Sequence, residues 1–338
     1  MCHKDSENYK CLALRPVLDC RLRVLPFERV AGMYSSSFII AALMRNLRSQ
    51  SRVKALLVVA LIISSACRRS SENHVDQPRL APNVILQDVT FRSVALNRDM
   101  EYRVILPRNV PAGRTLQVVY LLHGNDGGFR DWSNHSDVAN FAESGLLLVM
   151  PEGGSSYYTN ALVPPQDRYE DYIVYDLISD VERRFPAAAG GPKRAIVGVS
   201  MGGYGAIKLG LHHPELFAFV GAISAAVDVP RRPFTIRRIA QSRHYDSIFG
   251  PSGSQTRRAN DPFVLARATN PADAPYFYLT CGDQEGLLGP NREFSELLAQ
   301  RHFKHEFHTI PGGHDWAQWN ASLPGLFRSL IEHISASE

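Results

Sequence analysis

Residues 194–213 read RAIVGVSMGGYGAIKLGLHH, an unbroken apolar run, then Gly198-Val199-Ser200-Met201-Gly202, then a segment of helical character. A serine raised on a sharp turn between a buried strand and a helix is the arrangement in which its hydroxyl stands clear of a sheet. Small residues two before and two after it let the backbone make that turn. G-x-S-x-G alone is a weak motif, but in this strand-turn-helix setting it marks Ser200 as a candidate nucleophile.

The rest of the chain repeats the alternation. LQVVYLLHG (116–124), GLLLVMPEG (145–153), FAFVGAIS (217–224) and PYFYLTCG (275–282) are short apolar runs suited to strands covered on both faces. Helical spacing joins Tyr172, Ile173, Leu177, Ile178, Val181 and Phe185, and again Trp316, Trp319, Leu323, Leu326, Leu330 and Ile334. Ahead of these, VILQDVTFRSVAL and MEYRVILP alternate apolar and polar residues like half-exposed antiparallel strands, with Asn97, Arg98 and Asp99 as the turn. The expectation is an α/β fold with a mostly parallel central sheet, antiparallel amino-terminal strands and helices on both faces. Residues 228–262 interrupt the pattern with seven arginines among Pro and Gly, and are expected to form a small cap insertion at the carboxyl end of the sheet.

A serine hydroxyl needs a base. In the chain order Ser, acid, His that this fold uses, His314 in IPGGHDWAQW fits, on a loop between the apparent strand KHEFHTI and the last helix. The acid should follow the penultimate strand, where TCGDQEGLL offers both Asp283 and Glu285, and chemistry alone does not choose between them. An oxyanion hole needs two donors, each worth roughly 3 kcal/mol of barrier. Met201 supplies one backbone amide, and the other is expected from the loop His123-Gly124-Asn125, with Asn125 the better placed. Tyr157, Tyr158 and Trp316 are candidates to line the substrate pocket. The chemistry requires no metal and no organic cofactor.

Taken in order, YLLHGNDGGFRDW, VMPEGG, GVSMGGYGA, YLTCGDQEGLL and IPGGHDWAQW resemble the α/β-hydrolase esterase family that includes esterase D or S-formylglutathione hydrolases, feruloyl and acetyl-xylan esterases and mycolyltransferases. The likeness spans roughly residues 83–335. It implies an α/β-hydrolase fold and ester hydrolysis through Ser200 and His314, with the Asn125 and Met201 amides as oxyanion hole. The family pattern C-G-x-x-D puts the acid at Glu285, a departure from the usual Asp, and leaves Asp283 at a variable place. Acyl transfer to a sugar acceptor and a surface-tethered, non-catalytic binding protein are the alternatives. Keeping Ser200, His314 and a carboxylate in fold order argues against a mere binder.

The amino terminus reads differently. Residues 44–67, MRNLRSQSRVKALLVVALIISSAC, place a basic stretch before about a dozen apolar residues, too few for the ~20 a spanning helix needs. They are expected to be a signal peptide ending in a lipobox-like SSAC, with Cys67 as the lipidated residue and the protein exported to a bacterial cell envelope; an ordinary signal peptide cut nearby, giving a secreted protein, or an uncleaved anchor is the alternative. Residues 1–43 would then be a doubtful upstream extension, with Met44, or else Met33, as the start. Residues 68–82 are expected to form a polar tether, and 83–338 the catalytic domain. Residues 1–67 hold ten basic and four acidic residues, so the remainder carries 27 basic and 29 acidic, a balance of −2 that gives no support to a nucleic-acid footprint. The expected partners are a small-molecule or polysaccharide-linked ester and, through Cys67, a membrane.

Overall fold

The computed structural model describes residues 75–163, 166–188 and 194–335. The expected signal peptide, Cys67 and the first part of the tether lie outside the described residues. None of the described helices is long and apolar enough to cross a membrane.

The strands are β1 (Val84–Ser93), β2 (Arg98–Pro107), β3 (Gln117–Leu122), β4 (Leu146–Pro151), β5 (Arg194–Val199), β6 (Phe219–Ile223), β7 (Tyr276–Gly282) and β8 (His305–Ile310). They form one sheet in the order β1-β2-β4-β3-β5-β6-β7-β8. β1 pairs antiparallel with β2, and β2 with β4. Every later pairing is parallel. The hairpin turn falls at residues 94–97, closing two residues earlier than expected, because Asn97 takes the left-handed conformation (φ 50°) that asparagine tolerates.

The continuous apolar runs are explained by two covers. Val118, Tyr120, Leu122 and Ile196 point into one core layer, with α1 (Ile178–Arg184), α2 (Met201–His212), the insertion helix α3 (Ile239–Phe249) and α4 (Leu288–Gln300) packed there. Val119, Leu121, Val197 and Val199 point into the other, under α5 (Trp316–Ser335). A central strand buried on both sides has no solvent face to mark with polar residues.

The folded unit reaches upstream of the expected boundary at residue 83. Asp76 accepts from Arg103 Nη1 and Nη2 at 2.9 and 2.6 Å, and Asp88 accepts from Nε and Nη2 at 2.6 and 2.9 Å. The Arg103 guanidinium is wholly buried, so it needs both carboxylates, and that requirement docks the end of the expected tether.

A second buried charge cluster secures α2 from behind. Glu170 accepts from Lys208 Nζ at 2.6 Å, and the imidazoles of His212 and His213 hydrogen-bond its other oxygen at 2.8 and 2.9 Å. Burial by itself would raise the Glu170 carboxyl, but the Lys208 ammonium and the two imidazoles outweigh it and hold it below the usual carboxylate range. A carboxyl whose folded pKa is depressed stabilises the fold fully above its unfolded value and loses that contribution as pH falls below it. Glu170→Gln is therefore expected to cost about 3 kcal/mol near neutrality, because it strands Lys208. The gap to wild type should shrink below about pH 4.3, the ordinary Glu value. Urea unfolding of both proteins at several pH values measures it, and a gap that widens on acidification would contradict the assignment.

Candidate active site

Ser200 lies between β5 and α2 with φ 56° and ψ −113°, a strained conformation for a residue with a side chain. Three backbone hydrogen bonds hold it: its amide donates to the Ile223 carbonyl at 2.9 Å, and its carbonyl accepts from the Tyr204 and Ala226 amides at 3.1 and 3.0 Å. The flanking glycines are forced by contact. A Cβ on Gly198 would sit 2.2 Å from the Gly202 carbonyl, and one on Gly202 would sit 2.2 Å from the Leu122 carbonyl oxygen.

His314 arrives from the loop after β8. Its Nε2 is 2.9 Å from Ser200 Oγ, and its Nδ1 is 2.5 Å from Glu285 Oε2. Trp319, one turn into α5, sets the edge of its ring against the imidazole at a centroid distance of 5.1 Å. Glu285 follows β7, and its side chain is nearly buried, with Oε1 accepting from the Gly282 amide at 2.6 Å, Ser224 Oγ at 2.5 Å and Cys281 Sγ at 3.2 Å. Burial opposes its charge, yet the hydrogen bonds from His314, Ser224, Cys281 and Gly282 prevail and keep the carboxyl below its ordinary range. Glu285 is thus an anion at neutral pH, aimed at the far nitrogen of His314. Burial pushes the Cys281 thiol up, so it serves Glu285 as a neutral donor.

Asp283, the other candidate acid, does not face His314. Its Oδ1 accepts from the Gly312 amide at 2.9 Å, tying the end of β7 to the loop that carries His314. The reason is register: Asp283 continues β7 beside Ile310 of β8, while Glu285 lies past the turn and folds back.

Met201 opens α2, where a first-turn amide has no acceptor within its helix. On the other side, a Cβ on Gly124 would lie 3.6 Å from Ser200 Cβ, so the Gly124-Asn125 peptide borders the serine. His123 is buried under this loop, with Nε2 accepting from the Gly153 amide at 2.9 Å and Nδ1 donating to the Gly124 carbonyl at 2.7 Å. It shapes the loop and does not reach Ser200.

The Esterase family ("Putative esterase") matches residues 93–330. The chain belongs to this family. It is a carboxylic-ester hydrolase. This esterase is 25% identical over 257 residues to an acetyl esterase of Caldicellulosiruptor saccharolyticus, covering 72% of the chain and 96% of that protein. It is also 25% identical over 292 residues to the diacylglycerol acyltransferase/mycolyltransferase Ag85B of Mycobacterium avium, covering 76% and 86%. Among solved structures, the fluorophosphonate-binding serine hydrolase FphF of Staphylococcus aureus matches with a TM-score of 0.63 at 24% identity, covering 75% of the chain and 99% of that one. At that identity it speaks for the fold.

Three expected pocket residues of the esterase have other roles. Tyr158 is fully buried, with its hydroxyl donating to the His123 carbonyl at 3.1 Å, so it props the loop that borders Ser200. Tyr157 is buried edge-on against Tyr204, Tyr245 and Phe249, joining the insertion to α2. Both have positive φ (54° and 50°), which turns the rings inward from a loop that reads as exposed. Trp316 is half-buried between Trp132 and Trp319 and packs α5 against the helix Asp131–His135. Conversely, Ser224 and Trp319 touch the catalytic-type side chains, although the sequence marks Trp319 only as a helix-packing residue and Ser224 not as a site residue. Ser224 offers no motif; Trp319 differs from Trp316 only in helical phase.

Among the described residues, Glu170, His212 and His213 form a grouping of metal-ligand type. Lys208 already neutralises that carboxylate, which makes it a closed ion cluster and a poor cation site.

Glu285→Gln preserves shape but removes the charge and favours the wrong imidazole tautomer, so kcat should fall roughly 10³–10⁴-fold. Ser224→Ala removes one of the donors on Glu285 and should lower kcat about tenfold with KM unchanged. Steady-state kinetics on a para-nitrophenyl ester, with Asp283→Asn as comparison, check the order; equal losses at 283 and 285 would contradict it.

Proposed function

We propose that this esterase cleaves acyl esters through an acyl-enzyme, with Ser200 as nucleophile, His314 as general base and Glu285 as its carboxylate partner. The observation that carries the reading is the unbroken line Ser200 Oγ to His314 Nε2 at 2.9 Å and His314 Nδ1 to Glu285 Oε2 at 2.5 Å. Ser200 gives its proton to Nε2 as it attacks the ester carbonyl, and the Met201 and Asn125 amides bind the oxyanion. The imidazolium then protonates the departing alcohol, and a water activated by the same nitrogen releases the acid. Glu285, fixed as an anion, compensates the charge on His314 in both steps.

For substrate and place, the reading is an exported enzyme, lipid-anchored at Cys67, acting on extracellular acyl or aromatic esters, including those on carbohydrates. Support comes from the basic-apolar-small layout of residues 44–67 and from similarity to an acetyl esterase. The likeness to a mycolyltransferase favours a second reading, in which a sugar hydroxyl replaces water as acyl acceptor on the same Ser200 intermediate.

A fluorophosphonate probe should label wild type at Ser200 and leave Ser200→Ala unlabelled. A panel of para-nitrophenyl esters of rising chain length, methyl ferulate and acetylated xylan should give turnover with wild type and at least 10³-fold less with His314→Ala. Labelling that persists in Ser200→Ala would overturn the assignment. Chromatographic detection of acylated sugar, formed at the expense of free acid, separates transfer from hydrolysis.

A further inference from the structure

The insertion carries a surface that ester hydrolysis does not account for. Residues 229–245, VPRRPFTIRRIAQSRHY, contain five arginines and no acidic residue. Residues 233–241 are exposed without interruption, across the 3-10 turn Ile236–Arg238 and the start of α3. Within them Ile236 is 82% exposed, Phe234 44% and Ile239 41%, an exposed apolar stretch of the kind that marks an interaction surface. Arg231 and Arg232 are used internally, pairing with Glu293 and Asp228 at 2.9 and 2.8 Å. Arg237, Arg238 and Arg243 pair with no carboxylate among the described residues, although they are interleaved with the apolar side chains.

The location is defined by backbone contacts. The insertion leaves β6 at Ala226, whose amide binds the Ser200 carbonyl, and α3 is tied to the loop after β4 through Leu162 to Ile248 at 3.2 Å and His244 to Ser155 at 2.8 Å. The loops after β4 and β6 both rise from the carboxyl edge of the sheet, the edge that bears Ser200. The exposed segment therefore belongs to the same side of the molecule as the catalytic-type line.

We propose that residues 233–243 form a docking surface for an anionic lipid bilayer. Phe234, Ile236 and Ile239 enter the interfacial region, while Arg237, Arg238 and Arg243 meet the headgroup phosphates. Charge complementarity selects an anionic partner, and each arginine near such a surface contributes about fivefold in partitioning. The exposed branched aliphatic side chains select a bilayer over an acidic polysaccharide, because a polysaccharide offers no apolar layer for Ile236 to enter. Docking would turn the Ser200 edge toward the membrane plane. The proposal is independent of which ester is cleaved.

The test places a reporter at Ile236. In the full chain carrying Ile236→Trp, mixing with phosphatidylglycerol vesicles should shift the added tryptophan emission to the blue, and brominated acyl chains should quench it, both measured as differences from wild type. Phosphatidylcholine vesicles should leave it unchanged. A lipid at Cys67 would hold the chain on any vesicle without drawing residue 236 out of water, so the emission separates docking from anchoring. Adding Arg237→Glu, Arg238→Glu and Arg243→Glu should weaken the response at least about tenfold, and raising salt should weaken it as well. Turnover of para-nitrophenyl acetate should stay at the wild-type level in all variants, which shows them folded. An emission that ignores phosphatidylglycerol vesicles, a charge-reversed variant that responds like the parent, or charge-dependent retention on polygalacturonate without a vesicle response would each overturn the proposal.

Discussion

One backbone constraint organises this enzyme: Ser200 must occupy a left-handed conformation at the end of a fully buried strand. That conformation costs of order 1–3 kcal/mol and persists only where neighbours over-determine it. Here they do so from two directions, through the Ile223 carbonyl of the adjacent strand and the Tyr204 and Ala226 amides beyond it. The same requirement dictates Gly198 and Gly202, since α2 must leave the sheet so steeply that it presses on Gly198 and on the Leu122 carbonyl. The serine's height above the sheet is thus a result of packing on three strands.

The second organising element is a buried negative charge. Glu285 is held by donors from β6, from β7 and from the loop after β8, so its ionisation and its position are fixed together. Ser224 contributes from an equally unusual backbone, with φ 50° directly after β6. The strand edges therefore deliver two constrained serines side by side, one free to face a substrate and one committed to a carboxylate. Asp283 and Gly312 bind the loops after β7 and β8 to one another, which sets the distance between the acid and the imidazole.

Much of this was legible in the residues. The elbow, the parallel strands and the loop bearing His314 each announce themselves by local chemistry, because the turn needs glycine and a doubly covered strand needs unbroken apolar character. What local chemistry does not encode is direction. Tyr157 and Tyr158 sit in a polar, loop-like stretch, yet positive φ values turn them into the core. The choice between Asp283 and Glu285 depends on how far β7 continues, a matter of register with β8. Asp76 lies in a polar run that reads as a tether until Arg103, 27 residues away, is found buried and in need of a second carboxylate. Ser224 belongs to no motif, and its role emerges only when β6 and β7 are placed side by side.

The hydroxyl and the imidazole that touch at 2.9 Å are 114 positions apart in the chain. A polypeptide emerging from a ribosome carries Ser200 long before it carries His314. The two side chains meet only when the closing strand and helix have docked, so the contact is a property of the completed fold.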